Sequence, residues 1–578
     1  MRIACLLLAS LVITASMGCG GVSLPAATPS GPPNQPPTVQ LIPAISMAAP
    51  SSAHAGSAAV SITVSGSGFD STSRVFWGGT ELTTMLISNT QLSSQLSSDL
   101  IRNVTIGFLT VRNKYSTGIT ISAERDFPVL TTSGTGTIDG VISQSETASA
   151  GNGISLLPAL GKYGRYSVFA STSTNLGPLV SGKYFQVFLK DTCRAVLGAC
   201  VPTVKLLSTS TNGSEGDGDS VFLSSSASLI AMTRDARYVS YRTKATNLTS
   251  PASNGKDQIV LRETCVDLTA CTPQTTPISL SNLGSWGDNI SRDPAISGDG
   301  RYVAFSSVAS NFGSTIPLGR FQIYLRDTCL GVVSSCAPTT TLVSVGSSGI
   351  AGDGDSYGTT ISASGRFIGF LSSSTQLISH SAGGVNAYLR DTCLGAASCT
   401  PSTTLLSKSP AFPDGLGVSS TISMDSSGRY VAFIANALTN GIPNGSGGVN
   451  IADTCAAVSG PCSSLLRSIP QPASSANYAP VLSKDASVIL FLSQPIDQTG
   501  TPLSYIDAYV ARTCLIASCA SQPLDLNRTP TGNAQTGNSA DSALSPDGHT
   551  AALSSGAFNL VTPSSVASPQ IYSSTTSF

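Results

Sequence analysis

Asp299-Gly-Arg-Tyr-Val-Ala-Phe305 is one of seven related stretches, and their spacing decides the fold. The others open at Tyr163, Asp235, Ser364, Ser427, Asp485 and Asp547, as in Asp235-Ala-Arg-Tyr-Val-Ser-Tyr241 and Ser427-Gly-Arg-Tyr-Val-Ala-Phe433. Their second residues fall at positions 164, 236, 300, 365, 428, 486 and 548, so the repeat is 58 to 72 residues long. A second strand-like run follows each copy, such as Gln258-Ile-Val-Leu261 or Gln322-Ile-Tyr-Leu325. The first six copies then add a pair of cysteines and a third short run, such as Thr341-Leu-Val-Ser344. With Pro294-Ala-Ile-Ser297 ahead of the Asp-Gly turn, one unit holds four short β-runs punctuated by turn residues. A unit of this kind cannot bury its faces alone and must stack against its neighbours.

The pattern resembles the TolB-like propeller repeat over residues 131–578. The resemblance implies an all-β chain with a seven-bladed β-propeller of four-stranded blades. The seventh unit ends at Gln570-Ile-Tyr572 and lacks an outer strand. Gly136-Thr-Ile-Asp-Gly-Val-Ile-Ser143 has the register to supply one, which would close the ring and remove an exposed edge.

Residues 41–130 read differently. Val60-Ser-Ile-Thr-Val-Ser-Gly-Ser-Gly-Phe69, Arg74-Val-Phe-Trp-Gly-Gly79 and Ile106-Gly-Phe-Leu-Thr-Val-Arg-Asn113 alternate as half-buried strands do. Their order resembles the IPT/TIG module, which implies an immunoglobulin-like β-sandwich. Trp77 is expected in its core rather than on a ligand.

Arg2 is followed by an apolar run from Ile3 to Met17, too short to span a bilayer comfortably and placed where a secretory leader belongs, residues 1–18. Ser16-Met-Gly-Cys19 resembles a bacterial lipoprotein signal, which implies lipidation of Cys19 and, with Gly20 next, an outer-membrane address. Residues 19–40 are a Pro-, Gly- and Ser-rich tether. The remaining cysteines fall in close pairs, Cys193/Cys200, Cys265/Cys271, Cys329/Cys336, Cys393/Cys399, Cys455/Cys462 and Cys514/Cys519, which in an exported chain read as local disulfides. Zinc is the weaker reading, because His54, His380 and His549 lie near no cysteine. A net charge of -1, with 30 Lys+Arg against 31 Asp+Glu, gives no footprint for nucleic acid, and a monomer is expected.

Strand direction sorts the loops onto two faces. One face carries Asp217 and Asp219, Asp288, Asp353 and Asp355, and Asp414, in Gly-rich loops that could hold Ca²⁺. Asp-Gly is also ordinary turn chemistry. The other face pairs a turn arginine with an acid at the end of the third strand: Arg165 with Asp191, Arg237 with Glu263, Arg301 with Asp327, Arg366 with Asp391 and Arg429 with Asp453. The sixth and seventh units lose both members together, which predicts a salt bridge in each of the first five.

His-Glu-x-x-His and Gly-x-Gly-x-x-Gly do not occur, and no catalytic residue or resident cofactor is assigned. The expectation is a lipid-anchored binding or scaffold protein without catalysis, presenting the loop face to a protein or glycan of the envelope or beyond it. Two alternatives are a carbohydrate-active or lyase-type enzyme using carboxylates in the funnel, and a periplasmic envelope-assembly partner resembling TolB.

Overall fold

The structure is a computed structural model, and it describes residues 40–576 except 51–52, 103–104, 117, 131–137, 178–179, 195, 197–199, 211, 222–229, 314–316, 318, 333–334, 380–383, 410–412, 440–441, 457, 459–461, 463, 498, 500, 516–521, 529–534, 558 and 561–567. The expected leader, the expected lipidation site at Cys19 and nearly all of the expected tether therefore lie outside the described residues. The described chain is almost entirely β: it has no α-helix, only the 3-10 turns Lys162–Gly164 and Ser310–Phe312. None of its helices is long and apolar enough to cross a membrane.

Residues 44–130 form two packed sheets. One runs Ala44–Ala49, Val60–Ser67, Gln91–Leu96, Thr84–Ser88 in spatial order; the other is built around the long strand Thr105–Tyr115. Alternation along Val60–Ser67 turns Ile62 and Val64 inward, where they meet Val75, Trp77, Leu109, Val111 and Phe127 of the facing sheet. Trp77 is core, with its ring edge-on to Phe127 at 5.6 Å. A Cβ at Gly107 would fall 2.0 Å from the Trp77 ring, so only glycine fits there.

Residues 138–576 form seven four-stranded antiparallel sheets, six of them simple meanders. The third is representative, with strands Ser291–Ile296, Tyr302–Ser307, Gln322–Asp327 and Thr339–Leu342. Its second strand is buried along its whole length because both faces are covered. Val303 and Phe305 join a core with the second sheet, and Tyr302 and Ala304 join a core with the fourth. The same sharing holds at every junction, giving one apolar cluster for each pair of neighbouring sheets, the seventh with the first included. The first strands likewise contact one another in order and return from Ser539–Leu544 to Ser155–Leu160.

The seventh sheet takes its fourth strand from far upstream: Ile138–Val141 pairs with Gln570–Thr575, Val141 opposite Tyr572. Around this join, the Ser143 hydroxyl donates to Gln570 Oε1 at 2.7 Å, and Arg194 reaches Asp139 at 2.7 Å. At the turn end the backbone knits the sheets together. Lys162 N donates to Arg234 O, Gly298 to Ala363, Ala363 to Ser426, Ser426 to Lys484 and Lys484 to Pro546, all at 2.8–2.9 Å. Pro546 has no N–H to continue the chain of bonds, and the Thr550 hydroxyl donates to Tyr163 O at 3.2 Å instead.

The glycine of the Gly-Arg turn meets two demands at once. Gly365 sits at φ +78, and a Cβ there would lie 2.6 Å from the Tyr302 ring of the preceding sheet. Gly365→Ala is therefore expected to lower stability in denaturant unfolding by about 1–3 kcal/mol, combining left-handed strain with overpacking. Gly384→Ala, at φ +107 with open space at its Cβ, should cost distinctly less.

Candidate binding face

The turn end is a structural end. All five expected salt bridges form: Arg165–Asp191 at 3.1 Å, Arg237–Glu263 at 2.9 Å, Arg301–Asp327 at 2.6 Å, Arg366–Asp391 at 2.7 Å and Arg429–Asp453 at 2.8 Å. Each guanidinium also lies 4.6–5.1 Å over the ring of the aromatic that follows it. The aspartates have a second role. Asp191, Asp327, Asp391 and Asp453 accept the backbone N–H of Cys193, Cys329, Cys393 and Cys455 at 2.8–3.0 Å. Those cysteines are left-handed, with φ of 58–60, and the bond fixes an uncommon backbone that the disulfide then closes.

Disulfides join Cys193–Cys200, Cys265–Cys271, Cys329–Cys336, Cys393–Cys399 and Cys455–Cys462. Cys514 is disulfide-bonded too, and its expected partner Cys519 lies outside the described residues. The Asp-Cys-Cys groupings at these loops are poor metal sites because the sulfurs are oxidised. A threonine completes the motif: the hydroxyls of Thr192, Thr264, Thr328, Thr392, Thr454, Thr513 and Thr576 all donate to carbonyls of the facing turn. The sequence reading passed over this Thr, although it follows the third strand in all seven units.

The sandwich joins the ring at this same end. Phe108 packs 5.3 Å from Tyr163, and Lys162 Nζ sits 4.8 Å from the first ring and 4.5 Å from the second. Tyr163 takes the place that Asp299 holds in the third unit, where the carboxylate accepts Ser297 Oγ and Arg301 N. The first turn carries a docking ring in place of a cap.

At the loop end the candidate aspartates are spent on the protein itself. Asp217 accepts the N–H and hydroxyl of Thr246, Asp288 those of Ser310, and Asp353 those of Thr375. Burial acts to raise the Asp353 carboxyl, but bonds from Ser374 and Thr375 outweigh it and hold the group at about 2. Asp219 accepts Phe185 N and Asp355 accepts Phe321 N, both at 2.9 Å, tying each entry loop to the preceding sheet. Asp414 is exposed in a turn. These bonds are the turn chemistry that the sequence set beside Ca²⁺. The carboxylates hold separate loops, and among the described residues none of the six belongs to a convergent metal-binding group.

The first strands hold carboxylates the sequence reading did not single out. Asp293 in the third sheet and Asp541 in the seventh occupy matching positions, two residues after Ser291 and Ser539. Asp293 accepts the Gly358 N–H of the next first strand and Asp541 accepts that of Leu157, each with a serine hydroxyl from its own second strand, Ser306 or Ser554. Burial pushes both acids up. In the sixth sheet Asp507 stands where four other units have Gln; burial and then the charge of Asp525 push it up to about 6, and Gln535 donates to it at 2.7 Å.

Two further stretches have enzyme-like spacing. Gly354-Asp-Ser-Tyr-Gly358 has the Gly-x-Ser-x-Gly spacing, but it opens an antiparallel strand rather than a strand-to-helix elbow, and the Ser356 hydroxyl is bonded to Ser372. Gly177-Pro-Leu-Val-Ser-Gly-Lys183 has the start of a phosphate loop, but Tyr184 follows in place of Ser or Thr and the chain continues into a strand.

No family model and no curated protein matches the chain. Solved structures similar to it include an auxiliary nutrient binding protein from Bacteroides thetaiotaomicron (10% identity, 78% of this chain and 94% of that one, TM-score 0.29). A Trypanosoma rangeli sialidase also matches (10% identity, 69% and 57%, TM-score 0.29), as does a xylan β-1,4-xylosidase from Bacillus halodurans (9% identity, 84% and 91%, TM-score 0.21). Likeness at this level transfers no site. The expectation of a chain without catalysis is withdrawn, since likeness at this level neither assigns nor excludes an activity.

The two kinds of acid have opposite pH signatures. Burial acts to raise Asp327, but the hydrogen bonds from Arg301 outweigh it and hold the carboxyl below its usual value. Its contribution is present above pH ~4 and is lost as pH falls through the depressed value. A cycle of Arg301→Ala and Asp327→Asn, read by unfolding at pH 7, should give a coupling of about 0.5–1 kcal/mol that fades in acid. Asp507 is raised, so its contribution is lost as pH rises through about 6. Asp507→Asn should gain stability relative to wild type between pH 5 and pH 8 in the same assay.

Proposed function

We propose that the chain is an exported, lipid-anchored recognition protein in which residues 131–578 are a TolB-like seven-bladed propeller and residues 41–130 an immunoglobulin-like spacer. On this reading Cys19 carries the lipid at the outer membrane, and the spacer holds the propeller by its turn end. The loop end then faces outward to a glycan or protein of the envelope or its surroundings. The observation that carries the proposal is the Phe108–Tyr163 contact, which places the join between the two units at the turn end, beside the disulfides and salt bridges. The entry loops at the other end are tied down by Asp217, Asp288 and Asp353, so a ligand would meet a preformed surface with little ordering entropy left to lose.

The test is retention of the mature chain, disulfides intact, on an array of glycans and envelope proteins. Asp217→Ala with Asp353→Ala, which frees two entry loops, should weaken retention tenfold or more, whereas Arg429→Gln at the turn end should not change it. Loss with the turn-end variant alone would refute the assignment of the face.

A further inference from the structure

We infer that Arg292, Asp293, Phe321 and Tyr357 form a subsite for a neutral sugar ring at the loop end of the first strands, an inference that rests on the loop end being the recognition face. Arg292 and Asp293 are neighbours near the start of the third sheet's first strand. The pairing register shifts between Arg292 and Ala295, and Asp293 is left-handed at φ 58. Such a bulge re-aims side chains and recurs beside functional sites.

Asp293 is buried, with its side chain 2% exposed. Its Oδ2 accepts Ser306 Oγ at 2.9 Å and Gly358 N at 3.1 Å, while its Oδ1 has no partner among the described residues. Arg292 Nε lies 3.5 Å from Oδ2. The guanidinium carbon sits 3.7 Å over the Phe321 ring and 5.9 Å from that of Tyr357. Apart from that ion pair its Nε has no hydrogen-bond partner among the described residues, and the side chain remains 23% exposed. Asp355 holds the platform, accepting Phe321 N at 2.9 Å and Arg320 Nη1 at 3.2 Å.

The chemistry of this group is specific. Seated over the Phe321 ring, the guanidinium leaves its terminal N–H donors without a protein acceptor among the described residues, and an unpartnered, buried carboxylate oxygen stands beside it. The two charges cancel, so an anionic ligand would meet Asp293 and a cationic one Arg292. Adjacent hydroxyls of a neutral sugar both accept and donate, which matches the pair, and the C–H face of the ring suits the half-buried Phe321 and Tyr357. In the seventh sheet Ala540 stands where the third has Arg292, so Asp541 lacks this partner.

The experiment uses the mature chain with its disulfides intact and an array of neutral hexose and pentose oligosaccharides, their uronate- and sulfate-bearing counterparts, and envelope proteins. Neutral saccharides should be retained, and Arg292→Gln and Asp293→Asn should each weaken retention tenfold or more with unchanged Tm and circular dichroism. If Asp293→Asn does not fold, Arg292→Gln and Tyr357→Leu carry the test. Saccharide retention equal to wild type in these variants overturns the subsite while leaving the loop-face reading intact. Preference for the acidic saccharides overturns the neutral ligand. No saccharide retention at all overturns the subsite and leaves the face to be judged on the protein arm.

Discussion

Every apolar cluster in residues 138–576 is shared between two sheets, and the rest of the structure depends on that constraint. A four-stranded sheet with both faces apolar is stable only when both are covered, so an open row would leave an apolar face exposed at each end. Pairing of Ile138–Val141 with the last strand, and packing of Ile142, Leu160 and Phe169 against Ala552 and Ile571, remove those ends. The turn glycines follow from the same constraint, since Gly300, Gly365 and Gly428 lie against Tyr238, Tyr302 and Phe367 of the preceding sheet.

Closure divides the molecule into two ends with different work. At the turn end of the first five units, arginine, acid, threonine and disulfide are repeated almost without change, and they fix a left-handed cysteine and a tight turn in each. That end also receives the sandwich through Tyr163. At the loop end the residues vary from unit to unit, as in Arg292-Asp293 against Ala540-Asp541, and variation on a fixed frame is where a ring of repeats can acquire recognition. In the second, third and fourth units the frame is held by backbone amides of the loop after the second strand, which donate to loop aspartates.

Much of this was legible in the sequence because it repeats. The turn at Asp299-Gly-Arg, the cysteine pairs and the joint loss of arginine and acid in the last two units each mark a contact that recurs from copy to copy. Trp77 was legible as core from its alternating strand together with the resemblance to an immunoglobulin-like module. The aspartates of the Gly-Asp-Gly-Asp loops were left open between turn chemistry and a cation, because a carboxylate that accepts backbone N–H groups has the same sequence signature as one that binds a cation. Asp293 and Asp541 were missed because the first strand was read from Pro294 onward, and the bulge that carries Asp293 breaks alternation. Phe321 and Tyr357 meet Arg292 from a loop and a neighbouring sheet, a proximity no local pattern encodes.

The account's central claim is that the loop end is a rigid surface held by its own aspartates. Hydrogen exchange at the amides of Thr246, Ser310 and Thr375, measured with and without added Ca²⁺, tests it most directly. The account predicts strand-like protection of all three and no change on adding the ion. Fast exchange in its absence, slowed when Ca²⁺ is added, would contradict it.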